Sequence, residues 1–177
     1  MKKITKRNEL FFLFSRYLLI LFLGLGNLFI FSFIFTLPTI KLVSFLLSFI
    51  SKTTVSSDII LFNSYIIQLI PACIALSAYY LIFILVFSTR KIKPLQRIKI
   101  LVFSSFIFLI FNVLRIFILI LLLNFSFFSI LHLFFWYFIS TLAVFLIWLL
   151  NVKIFKIKEI PVYSDIKYLF SLRKNKK

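Results

Sequence analysis

Long apolar stretches with almost no charge dominate this chain. No charged residue occurs between Arg16 and Lys41, and between Lys99 and Lys153 the only one is Arg115. A helix that crosses a bilayer needs about 20 mostly apolar residues, because the hydrocarbon core is about 30 Å thick and each residue rises about 1.5 Å. The chain is 63% hydrophobic and 14% charged, with 27 Phe among its 177 residues. A water-soluble monomer of that composition would be left with large exposed apolar patches. Disorder is excluded as well, since it requires low hydrophobicity. The chain reads as an all-α integral membrane protein.

Four transmembrane helices are expected. The first covers about residues 17–37, with Pro38 as its stop, and follows a basic segment, residues 1–16. Its apolar run is too long for a signal peptide and no Ala-x-Ala site follows, so it is expected to be retained. An outer loop, residues 38–67, contains Leu42–Ile50, too short to span and expected to lie at the membrane interface. Ile59–Leu69 alternates loosely and could form a short strand or hairpin. The remaining spans are expected at about 68–88, 100–123 and 130–150, and residues 151–177 form a basic tail.

Lys and Arg number 21 against four Asp and Glu. They cluster in residues 1–16, 90–99 and 153–177, whereas the two intervening connections hold only Lys41 and Lys52. Because cytoplasmic flanks are enriched in Lys and Arg, both termini are expected to be cytoplasmic in a multi-pass plasma-membrane protein. Bases placed this way face lipid headgroups, and no nucleic-acid partner is expected.

Three residues are singular in composition and, under this topology, similar in depth. Cys73, the only cysteine, falls early in the second span; His132, the only histidine, falls at the first turn of the fourth. Arg115, the only charge inside a span, lies about 12 Å below the outer end of the third, near enough for its guanidinium to snorkel outward. A buried arginine costs about 2.5–3.5 kcal/mol on insertion scales, which marks it as functional by default. A cysteine nucleophile needs a base or a cation to favour its thiolate, and histidine with arginine supplies both. No Asp or Glu lies in a span, which disfavours paired-carboxylate chemistry. One Cys and one His are too few for a zinc site, so neither metal nor cofactor is expected.

Pro71-Ala-Cys73, then Asn112-Val-Leu-Arg115-Ile116, then His132 resembles the exosortase/archaeosortase family of membrane transpeptidases, in its compact archaeal form. The likeness extends over about residues 56–150. It departs after the cysteine, where many members carry a nearby Gly and this chain reads Cys73-Ile-Ala-Leu76. The resemblance implies a sortase-like cysteine peptidase for exported proteins bearing a C-terminal tripartite sorting signal. Cys73 would be the nucleophile and His132 the general base and acid. Arg115 would stabilise thiolate, oxyanion or a substrate group, and Asn112 would orient Arg115. A membrane lipid or water would be the acceptor, anchoring or releasing the protein at the cell surface.

The alternative is a non-catalytic membrane protein, an assembly factor or transporter subunit, in which Cys73 and His132 are incidental. Asn124-Phe-Ser126 also matches an N-glycosylation acceptor.

Overall fold

A computed structural model of the protein describes residues 6–26, 28–56, 58–63 and 65–174. It is mostly helical, in the order α1 (Lys6–Leu25), α2 (Phe29–Ser48), β1 (Thr53–Ser56), β2 (Ile59–Phe62), β3 (Tyr65–Gln68), α3 (Pro71–Ile74), α4 (Leu76–Phe87) and α5 (Pro94–Leu121). Then come α6 (Phe128–Phe134), a π-helical turn (Phe135–Ile139), α7 (Ser140–Ile154) and α8 (Tyr163–Lys174). Among the described residues four helical segments are long and apolar enough to cross a membrane: Asn8–Leu25, Phe29–Ser48, Pro94–Leu121 and Phe128–Ile154. That set fits a multi-pass membrane protein.

These segments differ from the expected spans in three places. The first apolar run, expected as one helix over residues 17–37, is divided between α1, which ends at Leu25, and α2, which begins at Phe29 after Leu28 at φ 58°. Pro38 does not stop the second part but sits inside α2. A proline there removes one backbone hydrogen bond. The neighbouring Thr39 hydroxyl donates to the Phe35 carbonyl at 2.7 Å. The helix continues because Ile40, Val43 and Leu47, spaced on one face, pack against Val113, Ile116 and Ile120 of α5. Val43 and Leu47 are fully buried, so residues 42–48 continue α2 and do not form a separate segment.

α1 and α2 run in the same sense. Arg16 donates to the carbonyls of Phe87 and Thr89, and the Tyr80 hydroxyl donates to Ile20, so α1 runs antiparallel to α4. Phe31 then meets Tyr80 and Phe83, and Phe35 stacks on Tyr79 at 3.7 Å. The two helices therefore make one bent traverse, from an end rich in Arg and Lys to an end that carries the sheet.

The second difference from an all-α fold is a small sheet: the hairpin expected within Ile59–Leu69 forms as β2 and β3, and β1, which was not expected, pairs with it. β1, β2 and β3 form an antiparallel meander in which Thr53 faces Phe62 and Ile60 faces Ile67. Alternation makes it: Ile60 and Phe62 point inward against α2, while Ile59 and Leu61 point away.

The third difference is the span expected at 68–88. It begins as the end of β3, passes through the short α3, turns at Ala75 and becomes α4, a helix of only 12 residues. Ala75 adopts φ 58°, ψ 47°, a left-handed conformation that ends α3 and opens α4. Two apolar cores result. One, around Tyr79 and Phe108, joins α2, α4, α5 and α7; the other, around Val43 and Ile60, joins α2, the sheet and α5.

Candidate functional site

The site is built where α3 ends. A helix leaves its last carbonyls without internal partners, and their lone pairs give that end a negative character. Here consecutive carbonyls are taken by two side chains one turn apart on α5. Asn112 Nδ2 donates to the Ile74 carbonyl at 3.0 Å, and Arg115 Nη2 donates to the Cys73 carbonyl at 2.6 Å. The spacing i, i+3 places both on one face of α5, so Asn112-Val-Leu-Arg115 is a two-pronged clamp on the segment that carries Cys73. Asn112 was expected to orient Arg115. It instead secures the adjoining carbonyl, and no hydrogen bond joins the two side chains among the described residues.

Arg115 does not snorkel outward as expected. It is 4% exposed and its Nη1 donates to Ser140 Oγ at 2.6 Å. Ser140 in turn donates to the Phe135 carbonyl at 3.0 Å. Arginine suits this role because its fork presents several donors in fixed directions, so one side chain ties α3 to the start of α7. Among the described residues, Arg115 Nε, Asn112 Oδ1 and the Tyr79 hydroxyl are buried without a hydrogen-bond partner.

The π-helical turn explains how Ser140 arrives there. Eight residues separate His132 from Ser140, and at about 100° per residue an unbroken α-helix would set them about 80° apart. A π turn absorbs one residue, so the separation counts as seven, about 700°, within about 20° of two full turns. His132 and Ser140 therefore share the face of this helix that looks toward Arg115. Sequence reasoning missed Ser140. The only signal for it was a hydroxyl in an apolar helix, at a spacing that α-helical periodicity places on another face.

Cys73, Arg115 and His132 all line one cavity of about 170 Å³. Its remaining wall is mostly apolar, with Leu69 from beyond β3, Leu119 and Ile120 from α5, and Phe128 from α6, whose ring stacks on His132 at 5.8 Å between centroids. Gln68 adds a polar group at the rim and donates to Asp58 at 2.8 Å. Cys73 and His132 are each partly exposed. Among the described residues His132 makes no hydrogen bond to Cys73 or Arg115, so the three meet across the cavity space.

No group of three or more Cys, His, Asp or Glu that could hold a metal occurs among the described residues. Asn124, the glycosylation candidate, accepts a hydrogen bond from the Tyr65 hydroxyl of β3. Comparison of the chain with family models, with curated proteins and with solved structures finds no match.

Proposed function

We propose that the protein is a membrane-embedded cysteine peptidase or transpeptidase of exosortase/archaeosortase type. The observation that carries this reading is the single cavity lined by Cys73, Arg115 and His132, contributed by three separate elements. The chain crosses the membrane four times, with both basic termini cytoplasmic and the sheet end outside. The traverses are α1 with α2, α3 with α4, α5, and α6 through α7. The cavity then opens toward the outer face of the plasma membrane, where exported proteins with C-terminal sorting signals present the peptide to be cut. The left-handed Ala75, two residues after Cys73, adds support, because this is the conformation glycine adopts most readily and many members of that family carry glycine near this position.

The chemistry follows from the residue types. His132 removes the thiol proton, and Cys73 Sγ attacks the scissile carbonyl carbon. The carbonyl oxygen takes up negative charge in a tetrahedral intermediate, for which Arg115 on the cavity wall provides positive potential. The C–N bond breaks, and the departing amine receives the proton from His132. The thioester left on Cys73 is attacked by a lipid amine or by water after His132 has taken its proton. The Cys73 sulfur leaves, recovering that proton through His132. An amine acceptor leaves the protein anchored to lipid; water releases it.

One observation favours the non-catalytic reading. Both terminal nitrogens of Arg115 are already engaged by the protein, as a purely structural arginine would be. A labelling experiment separates the two. Since Cys73 is the only cysteine, a membrane-impermeant thiol reagent applied to intact cells at pH 7 and read on the protein after its purification reports Cys73 alone. If His132 activates the thiol, labelling from outside is at least about tenfold faster in the parent than in His132→Ala. Equal rates in the two would reject thiol catalysis. Mass analysis of the processed substrate would distinguish lipid transfer from hydrolysis, because transfer adds the mass of the acceptor.

A further inference from the structure

The other end of the molecule carries a cavity of about 540 Å³ between α1, the α4–α5 turn and α8. Arg16, Arg90, Lys91 and Arg97 line one part of it, and Phe12 and Leu13 of α1 line another. Three of the protein's four acidic residues lie at this end, and each is matched to one of these bases. Arg16 pairs with Asp165 at 2.9 Å, Arg90 with Glu9 at 2.8 Å, and Lys91 with Glu159 at 2.6 Å. Arg97 is the lining base left over. It donates to the Thr89 carbonyl at 3.0 Å and stands 5.2 Å from the centre of the Phe87 ring, but it forms no ion pair among the described residues. Its Nε is buried and has no hydrogen-bond partner among the described residues.

We propose that this cavity is a binding site for an anionic phospholipid, whose phosphate is held by Arg97, while Lys91, already paired with Glu159, adds only longer-range attraction at the rim. A cation that keeps its charge beside an apolar wall is stabilised by an anion, and arginine's fork fits phosphate oxygens two at a time. The apolar wall selects lipid over a free anion. Phe12 is 59% exposed, and the surface beyond it continues through exposed Phe11 and Leu19, a track that an acyl chain covers and inorganic phosphate does not. The position agrees as well, because basic pockets between helices on the cytoplasmic side are where anionic headgroups collect. α8 closes one side of the same cavity through Tyr168, whose ring lies 3.5 Å from the Arg90 guanidinium.

The test uses the full chain in detergent and native mass spectrometry. The probes are dioctanoyl phosphatidylglycerol, dioctanoyl phosphatidylcholine and inorganic phosphate. The parent should retain phosphatidylglycerol in preference to phosphatidylcholine. One base near a lipid headgroup is worth about 1 kcal/mol, so Arg97→Gln should weaken phosphatidylglycerol about fivefold and phosphatidylcholine by less, because its choline cation already offsets the phosphate charge. Lys91→Gln, at an exposed position, should weaken phosphatidylglycerol by a smaller factor. Equal retention of the two lipids, or an Arg97→Gln protein that binds like the parent, overturns the proposal. So does displacement of the lipid by millimolar inorganic phosphate, which would mean a free-anion site. Should Arg97→Gln fail to fold, a photoreactive phosphatidylglycerol added to the parent decides. Crosslinks concentrated on α1 and on residues 87–97 support the site, and crosslinks spread evenly over the lipid-facing helices refute it.

Discussion

If Ser140 acts by holding Arg115, then Ser140→Ala and Arg115→Lys should each damage the same link, and their effects should not add. Ser140→Ala leaves Arg115 Nη1, in a side chain only 4% exposed, without its acceptor at 2.6 Å. A hydrogen bond to a charged group contributes about 1.5–3 kcal/mol, so the substitution should cost about that much. The Phe135 carbonyl loses little, since the Ser140 backbone N–H also donates to it. Arg115→Lys keeps the charge but offers one nitrogen where two now serve the Cys73 carbonyl and Ser140 separately, and it should cost a similar amount. In the double variant the lysine can serve the Cys73 carbonyl alone, so the serine is no longer missed. The double variant should therefore be more stable than the sum of the singles predicts, by about 1 kcal/mol or more. Unfolding can be followed by titrating the detergent-solubilised protein with dodecyl sulfate, reading a thiol-reactive fluorophore at Cys73 and circular dichroism in parallel. A cost of 1.4 kcal/mol is about tenfold in the unfolding equilibrium, well within the reach of such a titration. Single-variant costs below about 0.5 kcal/mol, or additivity within about 0.3–0.5 kcal/mol, would refute the linkage.

Other expectations can be checked in the same preparation. Ala75→Gly should stabilise the protein by about 0.5–1 kcal/mol, because it relieves the left-handed conformation of an alanine at φ 58°; a lower dodecyl sulfate midpoint would contradict this. Asp165 is 2% exposed and accepts from both Arg16 and Tyr17, so Asp165→Asn breaks a buried pair. It should cost about 3–5 kcal/mol and render α8 sensitive to trypsin in detergent, whereas a parent-like digestion pattern would show that α8 is held by other contacts. Hydrogen bonds from Lys91 and Ser164 hold the Glu159 carboxyl below the usual glutamate range. A depressed carboxylate stabilises the folded form above its unfolded pKa of about 4.3 and loses that contribution as the pH falls through the lower folded value. Hydrogen exchange in residues 160–168, corrected for intrinsic rates, should therefore rise modestly below about pH 4 in the parent and not in Glu159→Gln.

Much of this arrangement can be read from the chain itself. Apolar length and the grouping of Lys and Arg point to a helical membrane protein, and the scarcity of Cys, His and intramembrane charge singles out three residues that line one cavity. Local breaks and pairings are harder to read. Pro38 reads as a stop because propensity argues for one, yet burial of Val43 and Leu47 carries the helix past it. Ala75 carries no sequence sign of a left-handed turn, since alanine, unlike glycine or asparagine, does not favour that conformation. The partners of Arg115 are hidden for a related reason. One is a backbone carbonyl, which every residue has, and the other is Ser140, whose face depends on a π turn that periodicity does not foresee.

That turn changes how the chain should respond to a change of length. Shortening a helix by one residue ordinarily rotates everything before the cut by about 100° relative to everything after it. Between Phe135 and Ile139 the outcome should be inverted. Deleting one residue there, Tyr137 for example, converts the π turn into ordinary α-helix and leaves His132 and Ser140 on a common face. One added residue would swing the histidine away. The only stretch of this helix that tolerates a deletion is then the one that sets the histidine's bearing, and a library of single-residue deletions across residues 128–154 should show it as an isolated window of survivors.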